Sequence, residues 1–190
     1  MKPIKICLFC GSRSGSNYQW SSMADELGKK IGNINGEVVY GGGRWGLMGD
    51  IAEASIKSGS KVTGVITHDL LKIESSSENL DKLFTVDSMT ERKSKMIEIA
   101  DIFLVLPGGI GTLDELFDVW TTRQLKQHKK PIILLNYDNY FEHLISFAKK
   151  AVAEGFMTNK HKDLLKIVKT VDEAIFEILE HQNNKSYKLE

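Results

Sequence analysis

The chain has 190 residues, in which 25 Lys and Arg balance 25 Asp and Glu. That length suits one domain, residues 1–190, with a sizeable core; zero net charge leaves no basic surplus to draw in nucleic acid or an anionic membrane. No apolar run is long enough to span a bilayer and the N-terminus reads as a strand rather than a leader, so a cytoplasmic protein is expected.

Short apolar strands alternate with amphipathic helices, the pattern of an α/β fold with a mainly parallel sheet flanked by helices. Ile4–Phe9 is the first strand, and Cys10-Gly11-Ser12-Arg13-Ser14-Gly15-Ser16 is a small-residue loop suited to an anion. The first helix turns Tyr18, Met23, Leu27 and Ile31 inward. Cys7 and Cys10 lie three positions apart on one strand, hence on opposite faces, and read as buried structural thiols rather than a redox pair.

Glu37–Tyr40 is the second strand, followed by Gly41-Gly42-Gly43-Arg44-Trp45-Gly46-Leu47-Met48-Gly49 and a helix to about Lys57. Gly41-x-Gly43-x-x-Gly46 has dinucleotide-fingerprint spacing, but it follows the second strand and lacks a well-placed acid apart from Asp69. It reads as a nucleotide-binding turn, or as tight helix–strand packing alone. Lys61–Ile66 is the third strand. A polar connection from Thr67 to about Asp81 follows, with Ser75-Ser76-Ser77, and its length suits a lid or binding loop.

Leu83–Val86 leads into a helix reaching Ala100, with Met89, Met96, Ile97 and Ala100 as its apolar stripe. Arg92 and Lys93 fall on the same stripe in the first turn. Buried cations near a helix N-terminus need an anion: Glu115, a ligand phosphate, or both. The alternative is snorkelling, with the stems packed and the heads in water.

Asp101–Leu106 is the fifth strand. It enters Pro107-Gly108-Gly109-Ile110-Gly111-Thr112-Leu113-Asp114-Glu115, where glycines permit positive φ and close approach to the backbone. Thr112 reads as the N-cap of a helix carrying Leu113, Leu116, Phe117 and Trp120. A glycine turn at a helix start suits a phosphate. Thr112-x-x-Glu115 has capping-box form, as do Ser88-x-x-Glu91 and Thr170-x-x-Glu173; the competing reading makes Glu115 a catalytic acid beside the phosphate. Pro131–Leu135 is the sixth strand, followed by a helix from about Asn139 to Ala153 and a stop at Glu154-Gly155-Phe156. Leu165–Val168 is an edge strand, and Thr170 to about His181 the last helix.

There is no P-loop lysine, no His-Glu-x-x-His and no Gly-x-Ser-x-Gly, and the five histidines are scattered, so no metal site is expected.

Taken together, the Pro107–Glu115 segment resembles the Pro-Gly-Gly-x-Gly-Thr-x-x-Glu signature of the Lonely Guy family. These are cytokinin riboside 5′-monophosphate phosphoribohydrolases whose bacterial relatives were long labelled lysine decarboxylases. Phe9-Cys10-Gly11-Ser12, Tyr40-Gly41-Gly42-Gly43, Gly46-Leu47-Met48-Gly49, Met89 with Arg92-Lys93 and Met96, Gln124-Leu125 with Lys130-Pro131, and Glu154-Gly155-Phe156 also resemble family segments, in order.

The resemblance implies a Rossmann-like three-layer sandwich, a homodimer and hydrolysis of the N-glycosidic bond of an adenosine-type 5′-monophosphate, AMP or an N6-prenylated AMP, without a cofactor. It puts the catalytic pair at Arg92 and Glu115. It puts substrate contacts at Glu74, Lys93, the Gly109–Thr112 turn with Gly111, and Thr121; Gly11, Ser12, Gly42, Gly43, Met89 and Gly108 join them as candidate substrate-binding residues from the loops and helix already described. Thr67, Asp114 and Thr122 depart from the family's usual residues. The alternative is a nucleotide or nucleotide-cofactor carrier of the same fold with no turnover.

Overall fold

The computed structural model describes residues 2–73 and 79–186. Seven strands form one sheet in which every pairing is parallel: β1 (Lys5–Phe9), β2 (Glu37–Tyr40), β3 (Val62–Thr67), β4 (Lys82–Val86), β5 (Ile102–Val105), β6 (Ile132–Leu135) and β7 (Leu165–Val168). The spatial order is β4-β3-β2-β1-β5-β6-β7. The central strands β1, β2, β5 and β6 are short apolar runs buried on both faces, as a covered parallel sheet requires.

Helices cover both faces. On one, α1 (Tyr18–Asn33), α2 (Gly46–Lys57) and α8 (Val171–Ser186) bury Leu27, Ile31, Ile51, Ala174 and Ile178 against the inward residues of β1 and β5. On the other, α4 (Met89–Ile99), α5 (Ile110–Gln124) and α6 (Glu142–Ala153) bury Met96, Leu116, Val119 and Ile145. This is the three-layer sandwich. Cys7 belongs to one core and Cys10 to the other, both as free thiols. Burial pushes both thiols up, so neither is a nucleophile.

Five local expectations are revised. Tyr18, expected to turn inward at the start of α1, is exposed. The connection after β3 opens with a helix, α3 (His68–Ile73); its serines and Glu74 lie outside the described residues. The helix expected from Asn139 begins at Glu142, because Asp138 and Asn139 take φ values of 50° and 56°, a left-handed pair that interrupts it after a single 3-10 turn. A one-turn helix, α7 (Asn159–Lys162), precedes β7. Finally, α5 starts before Thr112: its N-cap is Gly109, and Leu113 N–H donates to the Gly109 carbonyl at 3.2 Å.

The capping boxes at Ser88 and Thr170 form, with Glu91 N–H and Glu173 N–H donating to the two hydroxyls at 3.1 Å. The one at Thr112 does not.

Candidate active site

The strand order reverses between β1 and β5, so the loops leaving their C-terminal ends part to opposite faces and open a crevice, where open α/β sheets bind ligands. Gly11 N–H donates to the Pro107 carbonyl at 3.0 Å, tying the two loops together. Around them lies a cavity of about 520 Å³. Its walls come from Cys10–Gly15 after β1, Gly41, Leu47 and Met48 after β2, Leu70 of α3, Met89 and Arg92 of α4, Pro107–Thr112 with Glu115, and two aromatic residues, Trp20 and Tyr140.

Apart from the exposed Arg13, the cavity's charged groups are a buried pair. Met96 anchors α4 in the core, and one turn earlier the same helix face carries Arg92 beneath the sheet edge. Arg92 Nη1 donates to Glu115 Oε1 at 3.2 Å, and Arg92 Nε donates to the Val65 carbonyl at 2.9 Å. Arg92 and Glu115 are only 7% and 8% exposed, which rules out snorkelling for the arginine. The capping reading of Glu115 also fails, because its carboxylate reaches α4 and Gly109 takes the cap position.

Burial raises the Glu115 carboxyl to about 7, with the Arg92 guanidinium pulling the other way. A carboxyl pushed up toward neutrality by burial inside a cavity is suited to acid–base or electrostatic chemistry.

Lys93, the next residue, points elsewhere. Its Nζ meets Asp114 Oδ1 at 3.1 Å and Asp118 Oδ2 at 3.3 Å. Burial lowers the pKa of this ammonium, but the two carboxylates outweigh that and leave it raised. The adjacent pairs, Arg92 with Glu115 and Lys93 with Asp114, reflect the roughly 100° between neighbouring helix side chains.

The glycine turn supplies the neutral half of the site. None of Gly108, Gly109 and Gly111 takes positive φ, so left-handed backbone is not why they are glycines. A side chain at 108 would collide with the Thr112 hydroxyl and the Gly11 amide, whereas at 109 or 111 it would meet nothing within 4 Å. Gly108 permits close packing; Gly109 and Gly111 leave the cavity floor bare. No side chain caps α5, so the first-turn N–H groups of Ile110, Gly111 and Thr112, all on the cavity wall, lie at the positive end of a fifteen-residue helix without intrahelical partners.

The second glycine cluster mainly fits loops together. Gly46, at φ 63°, abuts the Ser12–Arg13 backbone, and Gly42 lies against Ile66 and Leu83. Gly41 is different: a methyl group there would overlap Arg92 Nη2. Gly41→Ala is therefore expected to fold, to push the guanidinium off Glu115 and to cut turnover by about tenfold or more, checked by steady-state rates beside a thermal melt.

Of the residues named from sequence, the cavity gathers Gly11, Ser12, Met89, Arg92, Gly108, Gly109, Gly111, Thr112 and Glu115. Gly42, Gly43 and Lys93 do not line it, Thr121 is exposed on the outer side of α5, and Glu74 lies outside the described residues. Gly41, Trp20, Leu70 and Tyr140 were missed. Gly41 stood within the recognised motif and Leu70 within the connection read as a lid or binding loop; Trp20 and Tyr140 sit in segments that carry no sequence signal for a site. No lysine lines the cavity among the described residues, so it offers no Schiff-base partner for pyridoxal phosphate.

The profile of a family described as possible lysine decarboxylase matches residues 48–178. A rice (Oryza sativa subsp. japonica) protein named probable cytokinin riboside 5′-monophosphate phosphoribohydrolase is 44% identical over 84% of this chain and 70% of its own length. Proteins named as that phosphoribohydrolase from Arabidopsis thaliana and Rhodococcoides fascians are 37% identical, over 98% and 91% of this chain and 91% and 88% of theirs.

Two solved structures share the fold. One is the molybdenum cofactor carrier protein of Chlamydomonas reinhardtii (TM-score 0.72, 17% identity, 96% of this chain and 99% of that one). The other is the molybdenum cofactor binding protein of Rippkaea orientalis (TM-score 0.73, 19% identity, 95% and 98%).

Proposed function

The chain belongs to the family described as possible lysine decarboxylase, and from that premise we propose that it is a phosphoribohydrolase. It hydrolyses the N-glycosidic bond of an adenosine-type nucleoside 5′-monophosphate, AMP or an N6-prenylated AMP, to the free base and ribose 5-phosphate. The relatives' shared name supports the reaction class. The observation that carries the reading is the buried Arg92–Glu115 pair beside an uncapped helix N-terminus in one crevice.

In this reading the Gly109–Thr112 amides hold the 5′-phosphate. The bond breaks through an oxocarbenium-like ribose, as in glycoside hydrolysis, and the Glu115 carboxylate stabilises that charge and takes a proton from the attacking water. Arg92 acts through Glu115: its bonds to Val65 and Glu115 fix the carboxylate's position, and its charge favours the ionised form. The apolar wall of Leu47, Met48, Leu70 and Met89 suits the purine. Cleavage of this bond needs no cofactor.

We also propose a homodimer formed through α5. Ile110 and Phe117 on one stripe of that helix and Leu125 at its C-cap are 84%, 41% and 60% exposed, an apolar face that a second copy would cover. Thr121 shares the stripe and so belongs to that interface. Light scattering at twice the monomer mass is expected.

The test of function is incubation with AMP and with isopentenyladenosine monophosphate, followed by chromatography for free base. Release of adenine or its prenylated form is expected. Tight binding of both without product would replace this reading with the nucleotide carrier.

A further inference from the structure

Tyr140 stands outside every motif in the sequence, yet its hydroxyl donates to the Gly108 carbonyl at 2.8 Å, at the rim of the cavity. The residue is built into place. The left-handed pair Asp138 and Asn139 turns the chain immediately before it. Gln19 Nε2 donates to Asp138 Oδ2 at 2.8 Å, binding that turn to the start of α1. The Tyr140 ring meets the Trp20 indole edge-on, centroids 5.6 Å apart and planes at 75°, within the range for a favourable aromatic pair. Behind it, Phe141 N–H donates to the buried Asn136 side chain at 2.7 Å.

The Gly108–Gly109 peptide is trans, so its C=O and N–H point in opposite directions. A hydrogen bond that fixes the Gly108 carbonyl therefore fixes the aim of the Gly109 N–H. Glycine on both sides of the peptide gives this plane less intrinsic restraint than any other pair of residues would, and Gly108 has no side chain to hold it.

We propose that Tyr140 is a positioning residue that holds the Gly109 amide in its anion-binding orientation, and so sets the affinity of the site for a 5′-phosphate without taking part in bond cleavage. This rests on the reading above only in placing the phosphate on the glycine turn.

Tyr140→Phe keeps the ring and its contact with Trp20 and removes only the hydroxyl. KM and kcat for AMP, with calorimetric titration of ribose 5-phosphate and of adenosine, read the result on the full-length protein. The expected outcome is a weakening of KM and of the ribose 5-phosphate Kd by about five- to tenfold, the worth of one hydrogen bond, with kcat, adenosine binding and the melting temperature unchanged.

An unchanged ribose 5-phosphate Kd overturns the proposal, as does an equal weakening of adenosine, which a merely structural role would produce. A wild type that binds no ribose 5-phosphate overturns it too. A wild type that binds ribose 5-phosphate but cleaves no nucleotide discards the hydrolase and leaves the titration to decide Tyr140. Normal AMP cleavage with an indifferent Tyr140→Phe discards Tyr140 and leaves the hydrolase.

Discussion

Glu115→Gln is expected to lower turnover of AMP by about 10²–10⁴-fold while leaving the fold and phosphate binding in place. Glutamine has nearly the same shape and can still accept from Arg92 Nη1, so the loss isolates the negative charge. A side chain that only capped a helix would cost roughly 1 kcal/mol of stability and little rate. The wild type should also show an acid limb: kcat/KM rises with pH until the Glu115 carboxyl, held at about 7, is ionised. The variant's residual rate should lack that limb.

Stability moves the other way. The folded pKa stands above the ordinary value of 4.5, so the folded state favours the neutral acid. That contribution is fully present below pH 4.5 and is lost as pH rises through about 7. It amounts to on the order of 3 kcal/mol. Urea unfolding of the wild type at pH 5.5 and pH 8 should show the decline, and Glu115→Gln should flatten it.

Arg92→Ala is expected to be nearly as damaging to activity and worse for stability. It removes the donor that fixes the Glu115 carboxylate and the bond to the Val65 carbonyl at once. A buried carboxylate left without its partner costs about 3–5 kcal/mol where it must ionise. Below pH 6 Glu115 is largely neutral in the folded protein, so the loss there is smaller. The acid limb of any remaining activity should move to higher pH, because the guanidinium is the chief influence lowering the Glu115 carboxyl. Urea unfolding at pH 5.5 and pH 8, with a pH–rate profile, checks both signs. Arg92→Lys should recover stability in part, since it restores the charge without the forked geometry.

The sheet was legible because buried parallel strands are short apolar runs between turn signals, a pattern that does not depend on distant partners. Arg92 was legible for the opposite reason: a cation on an apolar helical stripe breaks local consistency and demands an anion elsewhere. The start of α5 was misread because Thr112 has the better capping chemistry, yet Gly109 at the end of a tight turn takes the position and Thr112 packs against Gly108 instead.

Gly41, Gly43 and Gly46 fit a nucleotide fingerprint by spacing, but which glycine borders a cavity depends on where Arg92 arrives from about 50 residues away in sequence. Tyr140 could not be found from spacing at all. Its role follows from a left-handed turn that no short pattern announces.

The pairing of β1 with β5 aligns Cys7 with Phe103 and Phe9 with Val105, segments separated by most of a hundred residues. The loop proposed to hold the 5′-phosphate is thus tied to a loop from a distant part of the chain, and unfolding separates the two. A sugar phosphate seated there acts as a removable staple between them. Heat resistance should then climb with the logarithm of its concentration, and protease cuts near either loop should slow together when it is added.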